Sequence, residues 1–323
     1  MSNFWKKLSK PFTALAPMDG VTDFVFREIV CEIAKPDVLF TEFTPTDAIV
    51  SKGYNRVIGN LKYSEKQRLI VAQIWGIHPE NFYKTAKLCK NLKFDGIDIN
   101  MGCPDKNVVK IGSGAALINN KKLAEEIIKA TKKGAGNIPV SVKTRIGFAE
   151  VVTENWISFL LKQDIDAISI HGRTAKEMSK GRADWDEIAK TVKLRDTLSP
   201  KTVIIGNGDV LSYKEVLEKS EKYGVDGVMI GRGIFSNPWI FEKTQNPLSH
   251  STEEHLRLLT KHTKLFCDTY RNEKDFNTMK KFFKIYVRSF RGAGKIKKQL
   301  MECKNHEDVE RVVLPYLSNL TTP

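Results

Sequence analysis

The sequence predicts an α/β fold, a (β/α)8 barrel followed by a C-terminal helical domain. Eight short runs rich in Val and Ile alternate with helical stretches over about 230 residues, the spacing of parallel strands joined by helical crossovers. The runs are almost continuously apolar, as strands covered on both faces must be. Near Gln245 the β pattern stops and only helical periodicity continues. An open doubly wound sheet would favour a Gly-rich fingerprint after its first strand, and Ala16-Pro17-Met18-Asp19-Gly20 is not one. The expected division is a barrel over residues 1–243 and a helical domain over residues 244–323.

Residues 13–16 read as the first strand, ended by Pro17-Met18-Asp19-Gly20. Thr22 or Asp23 is placed to cap a helix reaching Ile33. The second strand spans 38–43 and the third 69–74, with a polar connection between them that has room for a small hairpin. Pro79 opens a helix to Asn91 from its first turn. Strands follow at 96–100, 139–143, 167–171, 202–206 and 227–230. Helices at 121–133, 154–162, 184–193 and 213–223 separate them. Beyond the barrel, helices are expected at 253–270 and 275–290, then two shorter ones ending near Leu317.

The chain of 323 residues is 41% hydrophobic, enough for a large core, and no apolar run approaches the length of a membrane span. No signal peptide is read at the N-terminus. Five cysteines at 31, 89, 103, 267 and 303 make neither a CxxC pair nor a zinc-spaced cluster. No metal is expected, and the odd, scattered set points to a reducing cytoplasm. A net charge of +14 favours a polyanionic partner, although a Lys-rich surface that only aids solubility would give the same number. A monomer is the expected state.

Polar residues collect where each strand ends: Pro17-Met18-Asp19, Glu42, Gln73, Asn100 with Cys103, Lys143 with Arg145, His171 with Arg173, Asn207-Gly208-Asp209 and Gly231-Arg232. In a barrel these ends face one mouth, where active sites lie. Cys103 alone would be read as an inert buried thiol. Its place after an apolar strand, between Gly102 and Pro104, suggests a site instead; Gly102 allows an unusual backbone angle or a close approach. The Gly-rich ends of strands seven and eight sit where barrels often bind phosphate, and residues 234–241 are available for the short helix of such a site. Lys143 ends an apolar strand, where its charge either needs an anionic partner or snorkels to solvent.

Six segments, Ala16-Pro17-Met18-Asp19-Gly20-Val21-Thr22-Asp23, Asn100-Met101-Gly102-Cys103-Pro104, Lys143-Thr144-Arg145, His171-Gly172-Arg173-Thr174, Asn207-Gly208-Asp209 and Gly231-Arg232-Gly233, together resemble the tRNA-dihydrouridine synthases. The resemblance covers residues 12 to 241 in order and spacing, and the helical tail fits that family's RNA-recognition domain. It implies an FMN-dependent enzyme, with NADPH as reductant, that adds hydride to carbon 6 of a uridine in tRNA while a cysteine protonates carbon 5. Cys103 resembles the proton donor. Pro17, Met18 and Asp19 match the loop beneath the flavin, with Asp19 standing where many relatives carry a small residue. Gln73, Lys143 and His171 match flavin-ring contacts. Asn207, Gly208, Asp209, Gly231 and Arg232 match the ribityl and phosphate site. Asn100, Arg145 and Arg173 are expected to contact substrate.

A target uridine inside folded tRNA must be splayed out at a cost that phosphate contacts offset. Lys280, Lys281, Lys284, Arg288, Arg291, Lys295, Lys297 and Lys298 form a run with no acidic residue between them. On one helix, Lys280, Lys284, Arg288 and Arg291 share a face toward tRNA, while Phe282, Phe283, Tyr286 and Phe290 turn mainly to the core. A flavoenzyme acting on free pyrimidines would not need this basic tail, and an RNA-binding protein on an inactive barrel would not need Cys103, Lys143 and His171.

Overall fold

A computed structural model of the chain describes residues 3–243, 250–271, 273–288, 290 and 292–320. Eight parallel strands close into a barrel: β1 (Phe12–Leu15), β2 (Val38–Phe40), β3 (Ile70–Trp75), β4 (Gly96–Met101), β5 (Val140–Gly147), β6 (Ala167–Thr174), β7 (Val203–Asn207) and β8 (Gly227–Ile230). Ala14 of β1 pairs with Val38 of β2 on one side and Met229 of β8 on the other, and Leu39 of β2 with Ile70 of β3 closes the ring. A two-residue strand, Thr44–Pro45, continues alongside β3. The connection from there to β3 holds short helical turns rather than a hairpin, because it lacks the alternating apolar pattern that strand pairing needs.

Helices α1 (Phe24–Ile33), α2 (Pro79–Asn91), α3 (Lys121–Ala135), α4 (Thr153–Leu161), α5 (Trp185–Leu198) and α6 (Tyr213–Tyr223) surround the strands. Their starts follow local chemistry. Asp23 accepts from Phe26 N, Asp184 from Asp186 N and Glu187 N, and Ser212 from Glu215 N, while Pro79 opens α2.

Two cores result. The outer core lies between strands and helices. A smaller one fills the barrel's N-terminal half with Phe12, Ala14, Val38, Phe40, Val71, Ala167, Val203 and Ile205, and Trp5 plugs it from below. The same strand faces carry Gln73, Asp98, Asn100, Ser141, Lys143, Ser169, His171 and Asn207 nearer the other end. The interior is therefore apolar below and polar toward the C-terminal mouth.

Beyond the barrel come α7 (Thr252–Tyr270), α8 (Ala293–Glu302) and α9 (His306–Leu320). A capping box between Ser251 and Glu254 starts α7. This region shares the outer core: Phe282 stacks on Phe26 of α1 with ring centroids 5.2 Å apart, a burial worth about 2 kcal/mol. Lys274 bonds Asp23 at 3.0 Å. Phe282, Phe283 and Tyr286 are core residues and Phe290 packs partly buried against them, as their spacing suggested; Phe276 joins the same core.

The single helix expected over 275–290 is corrected. Phe276–Phe282 is a 3-10 helix, Phe283–Tyr286 adds one α turn, and Val287 is extended. Packing four aromatic rings inward around Phe26 and His262 takes precedence over helical continuity. No helix among the described residues is long and apolar enough to cross a membrane.

Candidate active site

The C-terminal mouth gathers many of the predicted residues, while Cys103, Gln73, Asn100 and Asp19 are not in the lining of its cavity. A cavity of about 340 Å³, within the range of small-ligand sites, is lined by Pro17, Met18, Lys143, Arg145, His171, Arg173, Asn207, Gly208, Asp209, Gly231 and Arg232. A larger open groove of about 680 Å³ lies between α8 and α9. Its lining offers surface charges and one buried thiol, Cys303, so the convergent chemistry belongs to the barrel mouth.

Strands β5 and β6 run three or four residues past their expected ends. Lys143 and Arg145 therefore share one strand face, and His171 and Arg173 another. Lys143 is half-buried, and its ammonium lies 3.4 Å from Asn207 Oδ1, with the Asp98 carboxyl and the Cys103 thiol near enough to act on it. Burial, with Arg145 close by, pulls it down to about 8. Burial, together with Lys143, Arg145, Arg173 and Arg232, pushes the His171 imidazole down to about 2, so it is neutral at physiological pH. Its Nε2 lies 3.1 Å from Arg173 Nη1. A guanidinium only donates, so Nε2 accepts and the ring proton sits on Nδ1.

Arg173 is fully buried and its guanidinium is committed within the protein: to Lys180 O, Gly181 O and Asp209 Oδ2 besides His171. It braces the loop over residues 178–183 and positions Asp209 and His171. Asp209 also accepts from Ala183 N at 2.7 Å, and Arg232 stands 3.8 Å from its other oxygen. Burial raises the Asp209 carboxyl, but the Arg173 bond and the Ala183 N–H outweigh it and hold it below its usual value. Gly208 has φ +129°, and a Cβ there would lie 2.5 Å from Ala183 Cβ and 3.1 Å from His171 Cδ2. Only glycine lets this turn close against the histidine.

The Cys103 loop is held from both sides. Asn100 Oδ1 accepts from Gly102 N at 3.1 Å and Cys103 N at 2.9 Å. Arg145 is buried and donates to Gly102 O at 2.7 Å, Thr174 O at 3.0 Å and Met178 O at 2.8 Å. Gly102 serves close approach: a Cβ would sit 3.1 Å from Thr144 Cα. Cys103 is half-buried, and burial pushes its thiol up despite nearby Arg145 and Lys143. It is a protonated thiol at neutral pH.

Gln73 and Asn100 lie within the β3–β4 wall and are bonded to each other. Asp19 is at the exposed rim, where burial raises its carboxyl and Lys281 opposes it. The short helix after β8 is the 3-10 turn Arg232–Phe235, earlier than residues 234–241.

The basic run does not form one face. Lys284 is exposed with its ammonium 5.1 Å from the Phe235 ring. Lys280 turns toward Cys303, while Lys281, which the shared-face reading passed over, stands against Gly20 and Asp19. Arg288 donates to Phe235 O at 3.2 Å and to Ser236 O, tying the tail to the loop after β8. The 3-10 winding causes the rearrangement, since it repeats every three residues rather than 3.6. Arg291 lies outside the described residues.

Sequence reasoning missed Asp98, which the barrel wall buries completely beside Gln73. Its signal was present: a carboxylate two residues before Asn100 in an otherwise apolar strand is costly unless it is bonded.

The chemistry of the mouth fits a flavin phosphate. Among the described residues the half-buried Lys143 ammonium makes no salt bridge, the buried Asp98 acting on it only through space, the neutral His171 keeps its proton on Nδ1, and Arg232 stands beside two glycine turns. A Cβ on Gly231 would have only ordinary contacts, 3.6 Å from Ala16 and 3.7 Å from Met18, so the space there is open to a ligand. No group of three or more His, Cys, Asp or Glu that could hold a metal ion occurs among the described residues.

Comparison with known proteins gives the family. A family model described as dihydrouridine synthase (Dus) matches residues 14–321, including the helical tail. The probable tRNA-dihydrouridine synthase of Staphylococcus aureus (strain COL) is 48% identical over 306 residues, 94% of this chain and 92% of the relative. The probable tRNA-dihydrouridine synthase 2 of Bacillus subtilis (strain 168) is 46% identical over 315 residues, 96% of this chain and 95% of the relative. Among solved structures, the old yellow enzyme homologue from Zymomonas mobilis shares the fold with a TM-score of 0.52 at 15% identity, over 75% of this chain and 90% of that one. Morphinone reductase in complex with tetrahydroNAD gives 0.50 at 12% identity, over 73% and 88%. From the match across both barrel and tail, the chain belongs to the dihydrouridine synthase family.

Proposed function

We propose that this chain is a tRNA-dihydrouridine synthase that reduces the carbon 5–carbon 6 double bond of a uridine in tRNA. FMN and NADPH are its cofactor and reductant, and it acts as a cytoplasmic monomer. The observation that carries the reading is the pairing at one mouth of a protonated thiol, Cys103, with an under-partnered cation, Lys143, each close enough to shift the other's ionisation. When bound, the flavin supplies the hydride for carbon 6. Cys103 holds the proton at Sγ and delivers it to carbon 5, on the side where negative charge develops. Lys143 supplies positive charge to the bound ring, and His171 donates to it from Nδ1. Gln73, Pro17, Met18 and Asp19 complete the ring's surroundings. Asn207, Gly208, Asp209, Gly231 and Arg232 hold the ribityl chain and phosphate. Asn100 and Arg145 line the uracil pocket while fixing the Cys103 loop, and Arg173 acts from behind the site.

The test is mass-spectrometric mapping of dihydrouridine in tRNA from cells lacking the protein. Loss at a defined position, restored by wild type, is expected. An unchanged map in a cell with no second such enzyme overturns the reading. The purified protein should also be yellow with flavin absorbance.

The helical tail, residues 244–323, is proposed as the tRNA-recognition part. Lys280 and Lys284 remain candidates for the backbone, with Lys281 added and Arg288 reassigned to bracing the barrel. Reversing both Lys281 and Lys284 to Glu should weaken tRNA binding and reduce the slope of log affinity against log salt by about 1.5 to 2. Titrations at several salt concentrations check this, and unchanged slopes would reject these contacts.

A further inference from the structure

The wall of the barrel interior buries an ionisable group that the proposed chemistry does not use. Asp98 is completely buried on β4, in register with Gln73 of β3 and Ser141 of β5. Its Oδ1 accepts from Ser141 Oγ at 2.6 Å and its Oδ2 from Gln73 Nε2 at 2.7 Å. Gln73 Oε1 then accepts from Asn100 Nδ2 at 3.1 Å, and Asn100 Oδ1 accepts from the Gly102 and Cys103 amides.

This relay has a direction, and chemistry fixes it at both ends. An ionised carboxylate only accepts, so Gln73 must turn its NH2 toward Asp98 and its oxygen toward Asn100. At the far end two backbone N–H groups only donate, so Asn100 must turn its oxygen toward them. Both ends demand the same orientation of the two amides, and the bonds comply.

We propose that Asp98 is a positioning residue for the Cys103 loop, anchoring the Gln73 and Asn100 amides so that Gly102 and Cys103 are held in place beneath the substrate. The inference rests on the reading of Cys103 as proton donor. Asp98 does not line the cavity; it reaches the Cys103 loop through the two amides, and its charge also acts through space on Lys143. Burial raises its carboxyl to about 6, against the Ser141 and Gln73 bonds and the nearby Lys143 charge, so the acceptor-only form prevails at physiological pH. The arrangement also explains a charge in the barrel wall: its cost is met by two short bonds, and what it secures is the geometry of a loop that begins four residues further along the chain, at Gly102.

The experiment compares wild type with Asp98→Asn, Asp98→Leu, Gln73→Met and Cys103→Ala, each as the flavin-loaded enzyme. Two measurements are made: amide hydrogen exchange of the peptide spanning residues 101–104, and the single-turnover rate of uridine reduction. Asp98→Asn keeps an acceptor facing Gln73 and should retain loop protection. Asp98→Leu removes it and should speed exchange at Gly102 and Cys103 about tenfold or more, with a comparable fall in turnover, as loss of a charge-assisted bond implies. Gln73→Met breaks the relay in the middle and should give the same exchange signature, so the test survives if Asp98→Leu does not fold. Faster exchange spread over the whole barrel, or loop protection unchanged in both Asp98→Leu and Gln73→Met, overturns the proposal. So does faster loop exchange with wild-type turnover. Wild-type turnover in Cys103→Ala would instead overturn the proton-donor reading, while the exchange data would still report on the relay.

Discussion

Replacing Cys103 by alanine should leave flavin and tRNA binding within a few-fold of wild type and slow single-turnover uridine reduction by about 10² to 10⁴, the usual contribution of a positioned acid. Binding should survive because the lost side chain makes only a local bond to the Asp105 backbone, while the contacts that tie the loop to the barrel lie elsewhere. Its contacts run through the Gly102 and Cys103 amides to Asn100 and through Gly102 O to Arg145. The pH dependence gives a second arm. Burial lifts the thiol above its ordinary value of 9.0, so wild-type turnover should show no loss from Cys103 through the neutral range. Because the acid works only while protonated, the rate should fall above that ordinary value. In Cys103→Ala this alkaline limb should vanish together with most of the rate. A rate that rises between pH 7 and 9 and depends on Cys103 would mean that a thiolate is the working form, against the burial that surrounds it.

Much of this site was legible in the sequence because barrels place function at the ends of strands. Once eight apolar runs are recognised, the residues that close each run must face one mouth, whatever the loops do. Lys143, His171, Asn207 and Gly231 followed from that rule alone. The cavity brings them together with Pro17 and Met18. What was not legible depends on contacts between elements distant in sequence. Arg173 reads as a substrate contact from its motif, yet its guanidinium is spent on His171, Asp209 and the 178–183 loop. The basic tail reads as one helical face, yet the demand to bury Phe276, Phe282, Phe283 and Tyr286 against α1 and α7 breaks the helix. Local propensity cannot anticipate this, since the competing term is tertiary packing. Asp98 falls between the two cases. Its position in an apolar strand signalled a bonded buried charge, but its partners lie on two other strands.

Lys143→Met should stabilise the flavin-free protein while weakening flavin binding. In the absence of ligand the ammonium is half-buried with one long bond, to Asn207 Oδ1, and burial pulls it down from 10.5 to about 8. A depressed folded-state value means that the unfolded chain binds more protons between these limits. For this group alone, stability therefore rises as pH increases from about 8 to about 10.5, and below about 8 the full cost of the buried cation is present. Methionine fills a similar volume with no charge, and should raise the stability of the flavin-free protein at pH 7 by about 1 to 2 kcal/mol. The gain should shrink toward zero by pH 10.5, where wild-type Lys143 is already neutral in the folded state. Flavin affinity should move the other way, falling about tenfold or more as the cation facing an electron-rich ring is lost. Thermal melts of flavin-free protein at several pH values and flavin titrations of both variants check the two halves. If Lys143→Met lowered stability at pH 7, the ammonium would have a partner in the free protein, and the argument that this cation awaits an anionic ligand would fail. A stability gain without loss of flavin affinity would keep the buried-charge account and remove Lys143 from the flavin site.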